Sequence, residues 1–288
     1  MKSMEERPLS EMEGSPTLPW TVKRITDEGA RDEDLQIVLE EPLAVELNGV
    51  QVAVMMRLPG AEKELAVGYC VSEGLVAGAA DIQMVHHCGR GLPAPGQEEG
   101  ELAMTSRNRV QVRARPEAVQ RRGASEVTRL IRSGCGAVGV ELGDLDLPVI
   151  ASEARASAAV ILTLNAAMRG GQDLFRDVGA VHAAALFDLQ GNLVALYEDI
   201  GRHNAMDKAF GHCLLRGIPL QDKIIATTGR ASYEMVSKAA RVGLPIVASV
   251  SSPTSLAAQV AEAQRCTLIG YMRGNRFSVY THGWRISS

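Results

Sequence analysis

Lys223 to Ser252 reads KIIATTGRASYEMVSKAARVGLPIVASVSS. A short apolar run, Lys223 to Ala226, ends in a polar loop; Ser232 then opens a periodic segment that closes at Gly243, and a second apolar run follows from Leu244 to Val250. Strand, helix, strand in that order is the unit of a sheet that carries helices on its faces. The pattern continues on both sides. Upstream, Val181 to Phe187 and Leu193 to Tyr197 make a hairpin around Asp188 to Asn192. Met206, Ala209, Phe210, Cys213 and Leu214 then mark the core face of a helix that Gly217 stops. Downstream, Ser252-Pro253 opens another helix with proline in its first turn, and Thr267 to Tyr271 pairs with Phe277 to Thr281 around Gly274-Asn275. The expected fold of residues 151–288 is a three-layer α/β domain.

The first half reads as a smaller, strand-rich domain over residues 17–125, which makes the chain α+β overall. Asn48-Gly49 between Leu43–Leu47 and Val50–Met56 is a hairpin signal, Ala61 to Val76 is helical, and Arg109 to Arg115 alternates so that its arginines face outward. Residues 1–16 are polar, with Pro and Gly, and are expected to be a disordered lead-in; residues 126–150 are a cysteine loop and linker.

The chain has 288 residues, 46% hydrophobic and 22% charged, enough for a sizeable core. A formal net charge of -4 argues against broad nucleic-acid binding, so an anion site must be local. No run of about 18 apolar residues occurs, and the acidic start lacks the pattern of an export signal. Five cysteines at irregular spacings suggest no disulfide framework. The expectation is a cytoplasmic protein with no membrane span.

The loops Glu198–His203, Thr227–Ser232 and Ser249–Thr254 each follow a strand and precede a helix. Parallel strands put such loops at one sheet edge, where helix N-termini attract anions. Each loop alone reads as an ordinary helix cap, but the series, with Gly201-Arg202 and Gly229-Arg230, favours a phosphate-bearing ligand. Arg202 and Arg230 would clamp phosphate, with His203 and Ser232 beside them; Glu198 or Asp199 would accept hydrogen bonds from a ribose or base. No metal is expected. His86-His87-Cys88 has ligand-type residues, but neighbours on a strand face opposite ways, and His182 reads as a hydrogen-bonded core residue. Cys70 and Cys213 lie on apolar helix faces and read as inert, whereas Cys135 sits among glycines in SGCGAVG, Ser133 to Gly139.

Taken together, EDIGRHNAMDK (Glu198–Lys208), TTGRASYEMVSKA (Thr227–Ala239), SSPTSLAAQVAE (Ser251–Glu262), LIGYMRGNRFSVYTH (Leu268–His282) and VMMRLPGAEKELAVGYCVSEGLV (Val54–Val76) closely resemble the serial motifs of the formate dehydrogenase accessory sulfurtransferases. The resemblance implies a sulfur carrier: a cysteine takes sulfur from a cysteine desulfurase as a persulfide and passes it to the molybdenum cofactor, in its bis(guanine dinucleotide) form, before insertion into formate dehydrogenase. It assigns the carrier role to Cys135 and guanine nucleotide binding to Tyr271, Met272, Arg273, Gly274, Asn275 and Arg276. It also implies a C-terminal domain similar to cytidine deaminases, without their zinc: His182 is followed by Ala-Ala rather than by a catalytic Glu, and no Pro-Cys-x-x-Cys follows. Two departures stand out. Val138 replaces a second loop cysteine, and Val178-Gly179-Ala180 replaces Thr-Gly-Gly. The first departure keeps open an alternative, a non-catalytic cofactor-binding chaperone for formate dehydrogenase. The oligomeric state stays open too, with a homodimer among the options. Glycines around Cys135 suit a thiol that must visit two sites, and Arg129 and Arg132 would favour its thiolate.

Overall fold

The computed structural model describes residues 16–87, 108–119 and 147–288. It begins with a two-stranded antiparallel ribbon, β1 (Thr17–Thr26) and β2 (Gly29–Val38). A four-stranded sheet follows in the order β4-β3-β6-β5, built from β3 (Glu41–Leu47), β4 (Val50–Arg57), β5 (Ile82–His87) and β6 (Arg109–Ala114). The expected hairpin is present: Asn48 and Gly49 both take positive φ, 50° and 84°, matching the twist of the flanking strands. Leu43, Val45 and Leu47 alternate inward and pack with Leu65, Ala66, Tyr69 and Cys70 of helix α1 (Glu62–Ser72). Arg109, Arg113 and Arg115 are exposed, as the alternation requires.

The second sheet has six strands in the order β13-β12-β11-β10-β8-β9. They are β8 (His182–Phe187), β9 (Leu193–Asp199), β10 (Ile224–Thr227), β11 (Ile246–Ser249), β12 (Thr267–Arg273) and β13 (Arg276–Val279). Every residue of β10 and β11 is buried, as apolar runs covered on both faces should be. Ile225, Val247 and Leu268 face α4 (Arg202–Leu215), α5 (Tyr233–Arg241) and α6 (Ser255–Ala263). Ile224, Ala226, Ile246, Ala248 and Ile269 face α2 (Ala158–Gly170), which presents Ile161, Leu164 and Met168. This is the three-layer α/β arrangement. A short helix, α3 (Asp173–Asp177), leads into β8; two-residue strands β7 (Ala156–Ser157) and β14 (Ile286–Ser287) pair at the periphery. No helix among the described residues is long and apolar enough to cross a membrane.

One sequence expectation needs correction, and one pair of strands carries no apolar signal. Pro253 does not enter the first turn of α6: Thr254 is the N-cap and accepts from the Ala257 N–H at 3.3 Å, while Pro253 bridges to Ala231. The ribbon was not legible as strands from the apolar pattern, because its residues are half exposed or fully exposed and none is buried.

The two sheets are joined through α1 and α4. A methyl group on Gly68 would strike the carbonyl of Asp207, and one on Gly211 would strike that of Glu64, so glycine lets the helix backbones touch. Buried charges surround this contact. Lys238 Nζ lies 2.8 Å from both Asp207 Oδ2 and Glu73 Oε1 and 2.9 Å from Ser72 Oγ. Lys208 Nζ lies 2.7 Å from Asp199 Oδ2 and donates to the Leu58 carbonyl at 2.9 Å. Burial works against the Lys238 ammonium, but Asp207 and Glu73 outweigh it and hold its pKa above the usual lysine range. Asn204 Nδ2 completes the seam by donating to Asp199 and to the Met56 carbonyl.

Candidate functional site

Strands β10, β11 and β12 are parallel, and β9 runs the same way because β8 is antiparallel to both β9 and β10. Their C-terminal ends therefore share one edge with the start of β8. The expected convergence of the loops holds, with one change: β9 and β10 are not neighbours, since the hairpin at Asp188–Asn192 inserts β8 between them. The loops are tied together across the edge. Thr228 N–H donates to the Ala183 carbonyl at 3.1 Å and its Oγ1 accepts from the Ala183 N–H at 3.0 Å. Ser249 Oγ donates to the Gly229 carbonyl at 2.6 Å, Thr254 N–H to Ala231 at 3.0 Å, and Tyr271 N–H to Ser251 at 3.0 Å. A continuous polar seam thus runs from β8 to β12.

The edge is rich in unneutralised positive charge. Arg202, Arg230, Arg273 and Arg276 make no ion pair with any described carboxylate, and the last three are exposed. Arg202 packs so closely over Gly229 that a Cβ there would lie 2.7 Å from its Cδ. The guanidinium of Arg273 sits 5.5 Å from the centre of the exposed Tyr271 ring. Helices α4 and α5 both start at this edge with no side-chain cap. Ser232 is the N-cap of α5, as its place in the sequence suggests, yet its Oγ is buried and unpartnered; so are Arg202 Nε and Thr227 Oγ1, the latter on a fully buried residue. Bare helix N-termini, free guanidinium groups and orphaned hydroxyls are complementary to an oxyanion such as phosphate.

The two histidines at this edge differ. His203 Nε2 lies 3.2 Å from Glu234 Oε2, and the imidazole beside it draws the Glu234 carboxyl below its usual range. His182 Nδ1 lies 3.3 Å from Thr228 Oγ1; burial, then Arg202 and His203, hold its pKa down, so it is neutral near pH 7. Among the described residues no group of His, Cys, Asp and Glu converges as a metal site.

Not every candidate faces the edge. Met272 is 1% exposed and packs in the core beside α2, so within Tyr271–Arg276 it is Tyr271, Arg273, Gly274, Asn275 and Arg276 that present surface. Glu198 and Asp199 are unavailable to a ribose or base. The Glu198 carboxylate accepts the Leu174 and Phe175 N–H groups at 3.0 and 2.9 Å, and Asp199 is fully buried against Lys208. Thr227 and Thr228 were not singled out from the sequence; two hydroxyls directly after an apolar strand were the available signal. Cys135 and Cys88 lie outside the described residues. The other cysteines, Cys70, Cys213 and Cys266, are buried, and burial pushes their thiols up to about 12, 11 and 12. They cannot supply a thiolate near neutral pH.

The model of the FdhD/NarQ family matches residues 38–287. The chain belongs to this family. Among its relatives, the sulfur carrier protein FdhD of Thermoplasma acidophilum is 40% identical over 258 residues, covering 87% of this chain and 86% of its own. The protein of the same name from Sulfolobus acidocaldarius is 38% identical over 261 residues, covering 89% and 93%. A crystal structure described as that of a formate dehydrogenase accessory protein from Desulfotalea psychrophila superposes with a TM-score of 0.72 at 26% identity, covering 94% of this chain and 100% of that one. The matched segment of the FdhD/NarQ family contains both sheets and the whole loop edge.

Proposed function

We propose that this protein is a sulfur carrier and sulfurtransferase that serves formate dehydrogenase. In this reading Cys135 is the carrier. Its thiolate attacks the terminal sulfur of a persulfide on a cysteine desulfurase; the donor S–S bond breaks, the donor cysteine leaves as a thiolate, and a new S–S bond forms on Cys135. The terminal sulfur then passes at the sulfane level to the molybdenum cofactor as substrate, which supplies the electron pair of the new bond to sulfur, while the Cys135 S–S bond breaks with its electrons on Cys135, which leaves as a thiolate. The bis(guanine dinucleotide) cofactor is bound substrate here. Its phosphates suit Arg202, Arg230, Arg273 and Arg276, with Ser232, Thr227 and His203 close to the uncapped starts of α4 and α5, and Tyr271 and Asn275 offer a ring face and an amide to guanine. The observation that carries the proposal is that edge: unpaired arginines, bare helix ends and orphaned hydroxyls in a protein whose relatives are named sulfur carriers.

The test is direct. Incubation with a cysteine desulfurase and cysteine should add one reductant-labile sulfur to the peptide containing Cys135, while Cys70, Cys213 and Cys266 stay unmodified because their raised thiol pKa keeps them protonated well above pH 8. Cys135→Ala should abolish the label and the maturation of formate dehydrogenase in cells while leaving GDP binding intact. If Cys135→Ala still matures the enzyme, the carrier role is wrong, and a non-catalytic cofactor-binding chaperone is the reading that remains.

A further inference from the structure

A second cluster of arginines lies at the opposite edge of the six-stranded sheet, where β12 begins. The parallel register that pairs Ile286 with Ala156 sets Arg285 beside Arg155, each one residue before its strand. Arg265 joins them from the turn between α6 and β12, at a φ of 57° where glycine is the easier residue. All three guanidinium groups surround Trp284: their central carbons lie 4.0 Å (Arg285), 5.7 Å (Arg155) and 5.8 Å (Arg265) from the ring centre, within cation–π range. Among the described residues only Glu153 pairs with any of them, 2.8 Å from Arg265. Arg285 is 0% exposed, donates to the Ser152 carbonyl at 2.8 Å and to Thr267 Oγ1 at 3.4 Å, and leaves its Nε without a partner. It has no described carboxylate at ion-pair distance, and burial draws its pKa below the usual arginine range. A charge taken out of water without a counter-ion destabilises the fold that holds it.

We propose that this cluster docks an acidic segment of a partner protein. Charge complementarity names the occupant, because three guanidinium groups face one described carboxylate. Arg155 and Arg265 are exposed and can each fork onto a carboxylate, which would also bring the counter-charge that Arg285 lacks. Trp284, 36% exposed, offers its ring to the aliphatic stem of a Glu or to an apolar neighbour in the same segment. A peptide fits better than a nucleic acid: the chain as a whole carries a net charge of -4 and repels a long phosphate backbone beyond the patch. The docked partner leaves the loop edge open, since Thr267 and Arg273 stand at opposite ends of β12.

Trp20 and Trp284 are the two tryptophans of the chain, so a Trp20→Phe background isolates Trp284 fluorescence. Titrating the full chain with hexaglutamate should change that fluorescence saturably, with an affinity that falls as salt is raised. Arg155→Gln combined with Arg265→Gln, both on exposed side chains, should weaken the binding by about tenfold or more and leave the circular dichroism unchanged. No saturable response, or an affinity that survives both substitutions, overturns the proposal. A response to inorganic phosphate or to a thymidine oligonucleotide as strong as that to hexaglutamate also overturns it, because the ligand would then be a phosphate rather than an acidic peptide. A response that appears only after Glu141→Gln, Asp144→Asn and Asp146→Asn would mean that the chain's own acidic stretch fills the patch, and it defeats the proposal equally.

Discussion

At the seam between the two sheets Lys208 and Lys238 each have a carboxylate within 2.8 Å and further oxygen partners, and Asp199 and Asp207 are surrounded by donors. At the loop edge four arginines have no described carboxylate, two helices start without a side-chain cap, and buried hydroxyls lack partners. Both regions draw on the same stretch, EDIGRHNAMDK. Glu198, Asp199, Asn204, Asp207 and Lys208 are consumed in holding helices and sheets together; Arg202 is left over. The difference teaches how to sort a motif. A charge taken out of water must be paired or it destabilises the fold, so fully satisfied charges report architecture. Charges left unsatisfied at a rim of bare helix ends report a ligand.

Breaking the seam should have the largest effect. Asp207→Ala leaves Lys238 buried with Ser72 and Glu73 alone and should cost about 3–5 kcal/mol in chemical denaturation. A loss below about 1 kcal/mol would show that Glu73 and Ser72 alone satisfy the buried lysine, contrary to the sorting above. At the edge the same class of substitution should separate stability from binding. Arg230→Ala, on an exposed side chain, should shift stability by no more than about 0.5 kcal/mol. Calorimetric titration with GDP should nonetheless weaken by about 1.5–3 kcal/mol, the range for a hydrogen bond to a charged group. Unchanged GDP affinity would remove Arg230 from the site.

The smallest effect sharpens the contrast from the backbone side. Ala180, just before β8 at the edge, has φ 58°, and Tyr271 has φ 53°. Side-chain-bearing residues in this left-handed region are strained. Ala180 stands where the resembling family carries glycine, so Ala180→Gly should stabilise the fold by about 0.5–1 kcal/mol, a gain measured by thermal unfolding. GDP affinity should not change. Destabilisation would mean that the methyl group has packing that outweighs its backbone cost.

Sequence by itself determined the local elements and their order. The apolar runs at Ile224–Thr227 and Ile246–Ser249, the helix face of Met206, Ala209, Phe210 and Cys213, and the Asn48-Gly49 turn are all where the pattern puts them, because period and turn chemistry act over a few residues. The same local signals gave the polar loops and the glycine-rich setting of Cys135. Tertiary structure alone decided what those polar residues do. Asp199 and Glu198 looked as available to a ligand as Arg202, yet Asp199 meets Lys208 and Leu58, and Glu198 meets the start of α3. Thr254 rather than Ser252 caps α6, and Met272 turns inward although its neighbours do not. The ribbon's strands escaped the pattern because no core among the described residues buries either face. Hydrogen-bonding capacity is written in each residue, but whether it is satisfied depends on partners up to 166 positions away, as Ser72 and Lys238 are, and only the folded chain brings them together.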